Sequence, residues 1–291
     1  MKKAAVICVS LLTLLMAGCI KEDLEDCYTT LYFSYLGDGT QEIFLEKTGK
    51  VDVYVYNESG ALVQTIVLNR SELLKKQGVT LQLPDGRYRV VCWGNAYSDT
   101  QVTNGTALQS GLVGHPHYFT KNIIATNDSL YFGSRDVDLS ADIYGVDTVR
   151  FSSAHIKMKL ELIGLDDVKL PDGGSPIEVE VGNLSPVVDF SKKFSDENIS
   201  YYPTGNFEKT SGVFKSQFNV LRFNDDNAVY VRLINKETNN TVYTVNLKDF
   251  MKENKMTVDG INEAVIGIRF KFNNTSIIVR PWEEEDIRPG M

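Results

Sequence analysis

The stretch GVTLQLPDGRYRVVCW, residues 78–93, sets the reading of the whole chain. Apolar and polar residues alternate through GVTLQL (78–83), the turn formers Pro84-Asp85-Gly86 follow, and alternation resumes in RYRVVCW (87–93). A period of two puts successive side chains on opposite faces, so each run reads as a strand with one face toward a core. Tyr88, Val90 and Cys92 share one face and Arg87, Arg89 and Val91 the other, which turns Cys92 inward.

The same period recurs along the chain. VDVYVY (51–56), KMKLEL (157–162), IEVEV (177–181), AVYVRLI (228–234), TVYTVNL (241–247), AVIGIRFKF (264–272) and SIIVRPW (276–282) all read as half-buried strands. Turn chemistry separates them at Glu58-Ser59-Gly60, Pro171-Asp172-Gly173-Gly174 and Asn224-Asp225-Asp226-Asn227. Strands polar on one side and apolar on the other suit antiparallel sandwiches, so the expected class is all-β. Helical pattern is confined to 69–76 and 248–255, both between strands. A polar, glycine-bearing stretch from about Asn95 to Gly145 reads as loops of a first domain, and a fresh meander opens at HIKMKLELIGL. This divides the chain into domains at 28–152 and 153–291.

The N-terminus carries its own instruction. Lys2 and Lys3 precede an apolar run from Ala4 to Leu15, too short to span a bilayer and of the right length for a secretory signal. Ala17 and Gly18 then lead into Cys19. This resembles a bacterial lipobox, with Met16 in place of the usual Leu. It implies removal of residues 1–18 and a lipid on Cys19, where two or more acyl chains give lasting attachment. Residues 19–27 form an acidic tether, and Lys21-Glu22-Asp23 within it resembles the lipoprotein export signal of Bacteroidales, which sends proteins to the outer face of the outer membrane.

Two cysteines remain after Cys8 leaves with the signal and Cys19 takes lipid. In an exported chain Cys27 and Cys92 are candidates for a disulfide that closes a loop worth roughly 4 kcal/mol on the chain-entropy model. Two unpaired, buried thiols are the alternative, and both stand at this point.

Loss of Lys2 and Lys3 takes the net charge from −8 to −10. An acidic surface argues against nucleic acid, whose binding rests on Lys and Arg neutralising phosphates. Catalytic motifs are absent from the sequence: there is no G-x-S-x-G, H-E-x-x-H or P-loop. Of the three His, His115 and His117 flank Pro116 and His155 opens a strand, without a Cys or carboxylate at a zinc-ligand spacing. The carboxylate pairs Asp166-Asp167, Asp225-Asp226 and Glu283 to Asp286 fall in turns or at the C-terminus, where solvated charge accounts for them. No enzyme activity, cofactor or metal site is expected. Fourteen Tyr, fourteen Phe, Trp93 and Trp282 suit sandwich cores, though a glycan platform would use the same residues.

Taken in order, CIKEDLEDC (19–27), LYFSY (31–35), VDVYVYNESGALV (51–63) and LPDGRYRVVCWGN (83–95) resemble the fimbrillin-associated anchor lipoproteins of Bacteroidales type V pili, the FimB-like group. SSAHIKMKLELIGL (152–165) and SIIVRPW (276–282) match more loosely the opening and closing strands of that family's second domain. The resemblance implies two tandem Greek-key β-sandwiches of transthyretin-like topology. It also implies a lipid-anchored protein of the outer membrane that holds the base of a pilus, ends its growth, and joins the shaft subunit, a fimbrillin, by β-strand augmentation. Ala264 to Trp282 is a candidate for the exchanged strand, with a plain core strand as the alternative. Two triplets, Asp128-Ser129-Leu130 and Asp147-Thr148-Val149, resemble Bacteroidales O-glycosylation sites. The competing readings are a surface glycan-binding lipoprotein, which would expose its Trp residues, a surface hydrolase, which would need convergent carboxylates or a metal in a cleft, and a tip adhesin of the same pilus.

Overall fold

The computed structural model describes residues 26–139, 144–165, 174–273 and 276–282. Cys19, Lys21, Glu22 and Asp23 lie outside the described residues, as do Asp166-Asp167 and the acidic segment 283–286.

The described chain is all-β, two sandwiches in tandem. The first half holds β1 (Asp26–Ser34), β2 (Lys50–Asn57), β3 (Leu62–Asn69), β4 (Gly78–Pro84), β5 (Arg87–Gly94), β6 (Gln101–Thr103), β7 (Leu112–Gly114), β8 (Tyr131–Asp138) and β9 (Tyr144–Ser153). Seven of these join in the order β3-β2-β5-β8-β9-β1-β4. The strand β9 serves both leaves: Phe151, Ser152 and Ser153 pair with β8, while Tyr144 to Arg150 pair with β1. The sheet thereby folds over on itself, and Leu31, Phe33, Leu81 and Leu83 pack with Val51, Val53, Val90 and Cys92 in one core.

The second half holds β10 (His155–Ile163), β11 (Ile177–Leu184), β12 (Val187–Asp189), β13 (Ile199–Tyr201), β14 (Asn206–Glu208), β15 (Val213–Leu221), β16 (Tyr230–Asn235), β17 (Thr241–Asn246), β18 (Val265–Asn273) and β19 (Ser276–Pro281). A five-stranded sheet, β14-β15-β10-β18-β19, faces a four-stranded one, β13-β11-β16-β17. Met158, Leu160 and Ile268 from the first meet Val179, Val231 and Leu233 from the second.

Both halves depart from the antiparallel expectation in the same way. β1 runs parallel to β9, and β10 parallel to β18. A parallel neighbour requires a crossover, here through most of each half, and the local alternation that identifies a strand carries no information on it.

The short helices are α1 (Phe44–Lys47), α2 (Arg70–Lys75), α3 (Pro116–Thr120) and α4 (Leu247–Glu253). At α2 the Asn69 side chain accepts from the amides of Ser71 and Glu72, and the Glu72 carboxylate accepts from the Asn69 amide at 2.8 Å. This reciprocal cap satisfies amides that the first helical turn leaves open. In α4 the apolar spacing carries Leu247, Phe250 and Met251 into the second core.

The polar stretch 95–145, expected as loops of the first half, is more than that. Part of it crosses to the second half: β7 pairs with β12, and Ile124 bridges to Tyr201.

Candidate functional site

The two halves are joined by a packed seam. Ala154 alone separates β9 from β10, donating its amide to Leu130 at 2.9 Å and accepting from the Arg222 amide at 3.1 Å. Beside it a third apolar cluster draws Tyr56, Trp93 and Phe132 from the first half and Val188, Phe190 and Leu221 from the second. Phe190 lies with its ring centroid 5.1 Å from Tyr54 and 6.2 Å from Trp93. Gly111 admits it, since a Cβ there would come within 2.8 Å of the Phe190 ring. A polar clasp closes the other side. Asp38 accepts the amides of Asn262 at 2.7 Å and Glu263 at 2.8 Å, and the Glu263 carboxylate accepts from Tyr35 Oη and Lys47 Nζ. These donors hold the Glu263 carboxyl below its ordinary range despite burial, and both burial and the carboxylate push the Tyr35 hydroxyl up.

At the second half the free edges are unequal. β13 and β14 are linked by residues 202–205, so one flank of the sandwich is closed by a short crossover, and β17 and β19 form the opposite flank. Among the described residues, β17 pairs only with β16 and β19 only with β18. β17 is exposed at Thr241 to Thr244, and Val242, Tyr243 and Ile278 present apolar surface there. A long edge with apolar side chains is a template for strand pairing. Within Ala264 to Trp282, β18 is held between two neighbours and β19, antiparallel to it, stands at the margin.

The chemistry-bearing residues are spent on structure. His115 Nδ1 accepts the His117 amide at 3.0 Å and caps α3, and burial lowers its pKa. His155 is buried, with Nδ1 3.0 Å from the Leu130 carbonyl, and burial brings its pKa down to about 4. Asp225 accepts from Thr257 Oγ1 at 2.6 Å and the Val258 amide at 2.8 Å, fastening a loop. A cleft of about 390 Å³ on the first half is lined by Arg87, Arg89, Asp136 and Asp138, whose charges cancel as Arg89–Asp136 (2.8 Å) and Arg87–Asp138 (3.0 Å) pairs. A larger one, about 690 Å³, contains Lys192, Lys193, Arg222 and Asp196; burial brings Lys192 down to about 8. Of the glycosylation triplets, Asp128 accepts from Thr100 Oγ1 at 2.7 Å with Leu130 fully buried, whereas Thr148 is exposed on β9.

Cys92 is a free, fully buried thiol whose pKa is pushed up by burial, as its inward face predicts. Strand register sets the backbone of Cys27 far from it. Cys92 is level with Gly133 and, through it, Phe151. Cys27 pairs with Leu83 near the far end of β1, six positions before Phe33, which pairs with Val149. That is about 20 Å along the strand, against the roughly 7 Å between Cα atoms that a disulfide tolerates. The Cys27 side chain lies outside the described residues.

Sequence reasoning missed the seam. Asp38, Phe190 and Glu263 act across more than a hundred residues of chain, and no local period marks such partners. For the β17 edge a signal existed: TVYTVN alternates less cleanly than the central strands.

The family model for fimbrillin-A associated anchor proteins Mfa1 and Mfa2 matches residues 24–288. Solved structures share the fold at low identity. A candidate adhesin from Bacteroides ovatus superposes with a TM-score of 0.69 at 18% identity, covering 92% of this chain and 98% of that one. The fimbrial anchor protein Mfa2 from Porphyromonas gingivalis gives 0.66 at 15% identity, with 88% and 98% covered. A candidate polysaccharide-binding protein from Bacteroides thetaiotaomicron gives 0.69 at 14% identity, with 89% and 99% covered. No curated protein matches in sequence.

Proposed function

Because the chain belongs to the family of fimbrillin-A associated anchor proteins, we propose that it fastens the base of a fimbria in the outer membrane and limits the growth of the fibre there. Lipid on Cys19 supplies the attachment, and Lys21-Glu22-Asp23 directs the protein to the cell surface. The neighbouring shaft subunit, a fimbrillin, joins by β-strand augmentation, with main-chain hydrogen bonds giving affinity and alternate side chains giving specificity. The observation that carries this reading is the exposed β17 and β19 flank, two edges on one side of a sandwich whose opposite flank is closed. The packed seam fits the same role, because a tensile load on the fibre passes between the halves without a loose linker.

A glycan-binding surface lipoprotein is the rival reading. It requires an aromatic platform, yet Trp93 is fully buried in the seam and Trp282 is half-buried. Replacing Cys19→Ala in the native host tests the anchor reading: fibres lengthen or shear into the medium while the protein turns soluble. Unchanged fibres with a new glycan-binding or growth phenotype overturn it.

A further inference from the structure

The larger of the two clefts gathers cations without a counter-ion. It lies where the turn after β12 meets the residues that follow β15, has a volume of about 690 Å³, and sets Lys192, Lys193 and Arg222 in its wall against one acid, Asp196. The turn is fixed from within. Asp189 Oδ1 accepts the amides of Ser191 and Lys193, each at 2.8 Å, and the Lys192 amide donates to the Asp189 carbonyl at 3.0 Å. Held this way, Lys192 reaches across the seam, where its Nζ donates to Ser152 Oγ on β9 at 2.7 Å.

That bond uses one of the three ammonium protons, and no carboxylate receives the others. Among the described residues, none of Lys192, Lys193 and Arg222 makes an ion pair. Burial first, then the charge of Arg222, brings the Lys192 ammonium down to about 8, and no acid acts the other way. The Arg222 guanidinium is no better served. Its Nη2 donates to the carbonyls of Val258 and Ile261, while Nη1 is buried without an acceptor, and Asp38 and Asp259 act on it only from beyond ion-pair distance. Two cations close enough to repel are thus withdrawn from water together, an arrangement that costs stability unless an anion joins them. The rest of the wall includes the hydroxyl of Ser195 and the amide of Asn198, and the volume is that of a small-molecule site.

We propose that this cleft binds a small oxyanion, a carboxylate or phosphate group held by Lys192 and Lys193 in the field of Arg222, with hydroxyl groups of the same ligand meeting Ser195 and Asn198. Because Lys192 also bonds Ser152, an occupied cleft links the turn of the second half to β9 of the first. A ligand that binds only the folded chain stabilises it by mass action.

Thermal melts of the full chain test the assignment, with inorganic phosphate and sodium gluconate as probes and ionic strength matched by NaCl. At about 50 mM probe the parent chain should melt about 3 °C or more above the chloride control. Phosphate also stabilises folded chains by exclusion, without any site. The quantity read is therefore the excess over Lys192→Met, which keeps the length of the side chain and drops its charge. An excess with phosphate alone assigns a phosphate ligand, with gluconate alone a hydroxy acid, and with both the oxyanion in general. No rise above chloride, or an equal rise in parent and Lys192→Met, overturns the site. Lys193→Gln, at an exposed position, should weaken probe binding about threefold in titration calorimetry. If Lys192→Met does not fold, unchanged affinity in Lys193→Gln overturns the site instead.

Discussion

The carboxylate of Asp38 accepts the backbone amide of Glu263 at 2.8 Å, joining residues 225 positions apart. The same carboxylate takes the Asn262 amide at 2.7 Å, so one side chain from the first sandwich caps the loop that leads into β18 of the second. Glu263 then turns its own carboxylate back to Tyr35 and Lys47. Each half supplies an acid to donors of the other, which fixes their mutual orientation.

Asp38→Ala leaves two backbone amides without their acceptor, at a cost of about 1–3 kcal/mol. In a chain of this size that lowers Tm by roughly 2–4 °C per kcal/mol. Asp38→Asn, which keeps one oxygen acceptor, should recover part of the loss in a thermal melt. An Asn variant no better than Ala would show that the amide bonds are not the source.

Phe190→Ala empties the middle of the seam, where the ring touches Tyr54, Tyr56 and Trp93. Truncating a buried Phe costs about 3–5 kcal/mol. Trp93 is fully buried beside it, so its fluorescence should shift to the red in the same variant. A stability loss without that shift would place the damage elsewhere.

His155 gives the protein a pH dependence whose sign is fixed by its burial. Its folded pKa is about 4, below the ordinary value of 6.5, because burial disfavours the imidazolium. The unfolded chain therefore binds a proton that the folded chain refuses as pH falls from about 6.5 to 4, and stability is lost across that window, by a few kcal/mol at most. Above pH 6.5 both states are neutral and the effect vanishes. Denaturant midpoints for His155→Asn should fall less steeply than those of the parent between pH 6.5 and 4. Glu263, lowered by its donors, adds its own loss only below about its ordinary 4.5.

Much of the fold was legible locally, and the reason is specific. GVTLQL and RYRVVCW became β4 and β5 because a half-buried strand writes its own period, and the helical pattern at 69–76 became α2. The inward direction of Cys92 was legible because facing is local, whereas its level relative to Cys27 depends on the pairing of β1 with β4 and β9. Phe190 was unreadable for a related cause. Its neighbours Val187, Val188 and Asp189 look like any short strand, and only the approach of β7 reveals that they span the two halves.

The thiol of Cys92 offers a direct check on that separation. Cys92 is fully buried, so it should resist a thiol reagent in the native protein and react fully in guanidinium. Non-reducing peptide maps should lack a Cys27–Cys92 peptide. A bridged peptide would mean that β1 slides or frays by several residues in the exported protein.

The flank formed by β17 and β19 makes the sharpest claim about function. Val242 and Ile278 are exposed on those edges, at 38% each, so Lys in their place should move stability by no more than about 0.5 kcal/mol. An edge lysine does, however, oppose an incoming strand. Val242→Lys with Ile278→Lys should therefore release fibres into the medium in shear fractionation while the melting temperature stays put. Val67→Lys on β3, an exposed edge of the first sandwich at 55%, is the control and should leave fibres attached. If the β3 change releases fibres and the flank changes do not, augmentation occurs on the first sandwich. If neither does, the shaft is held by a face rather than an edge.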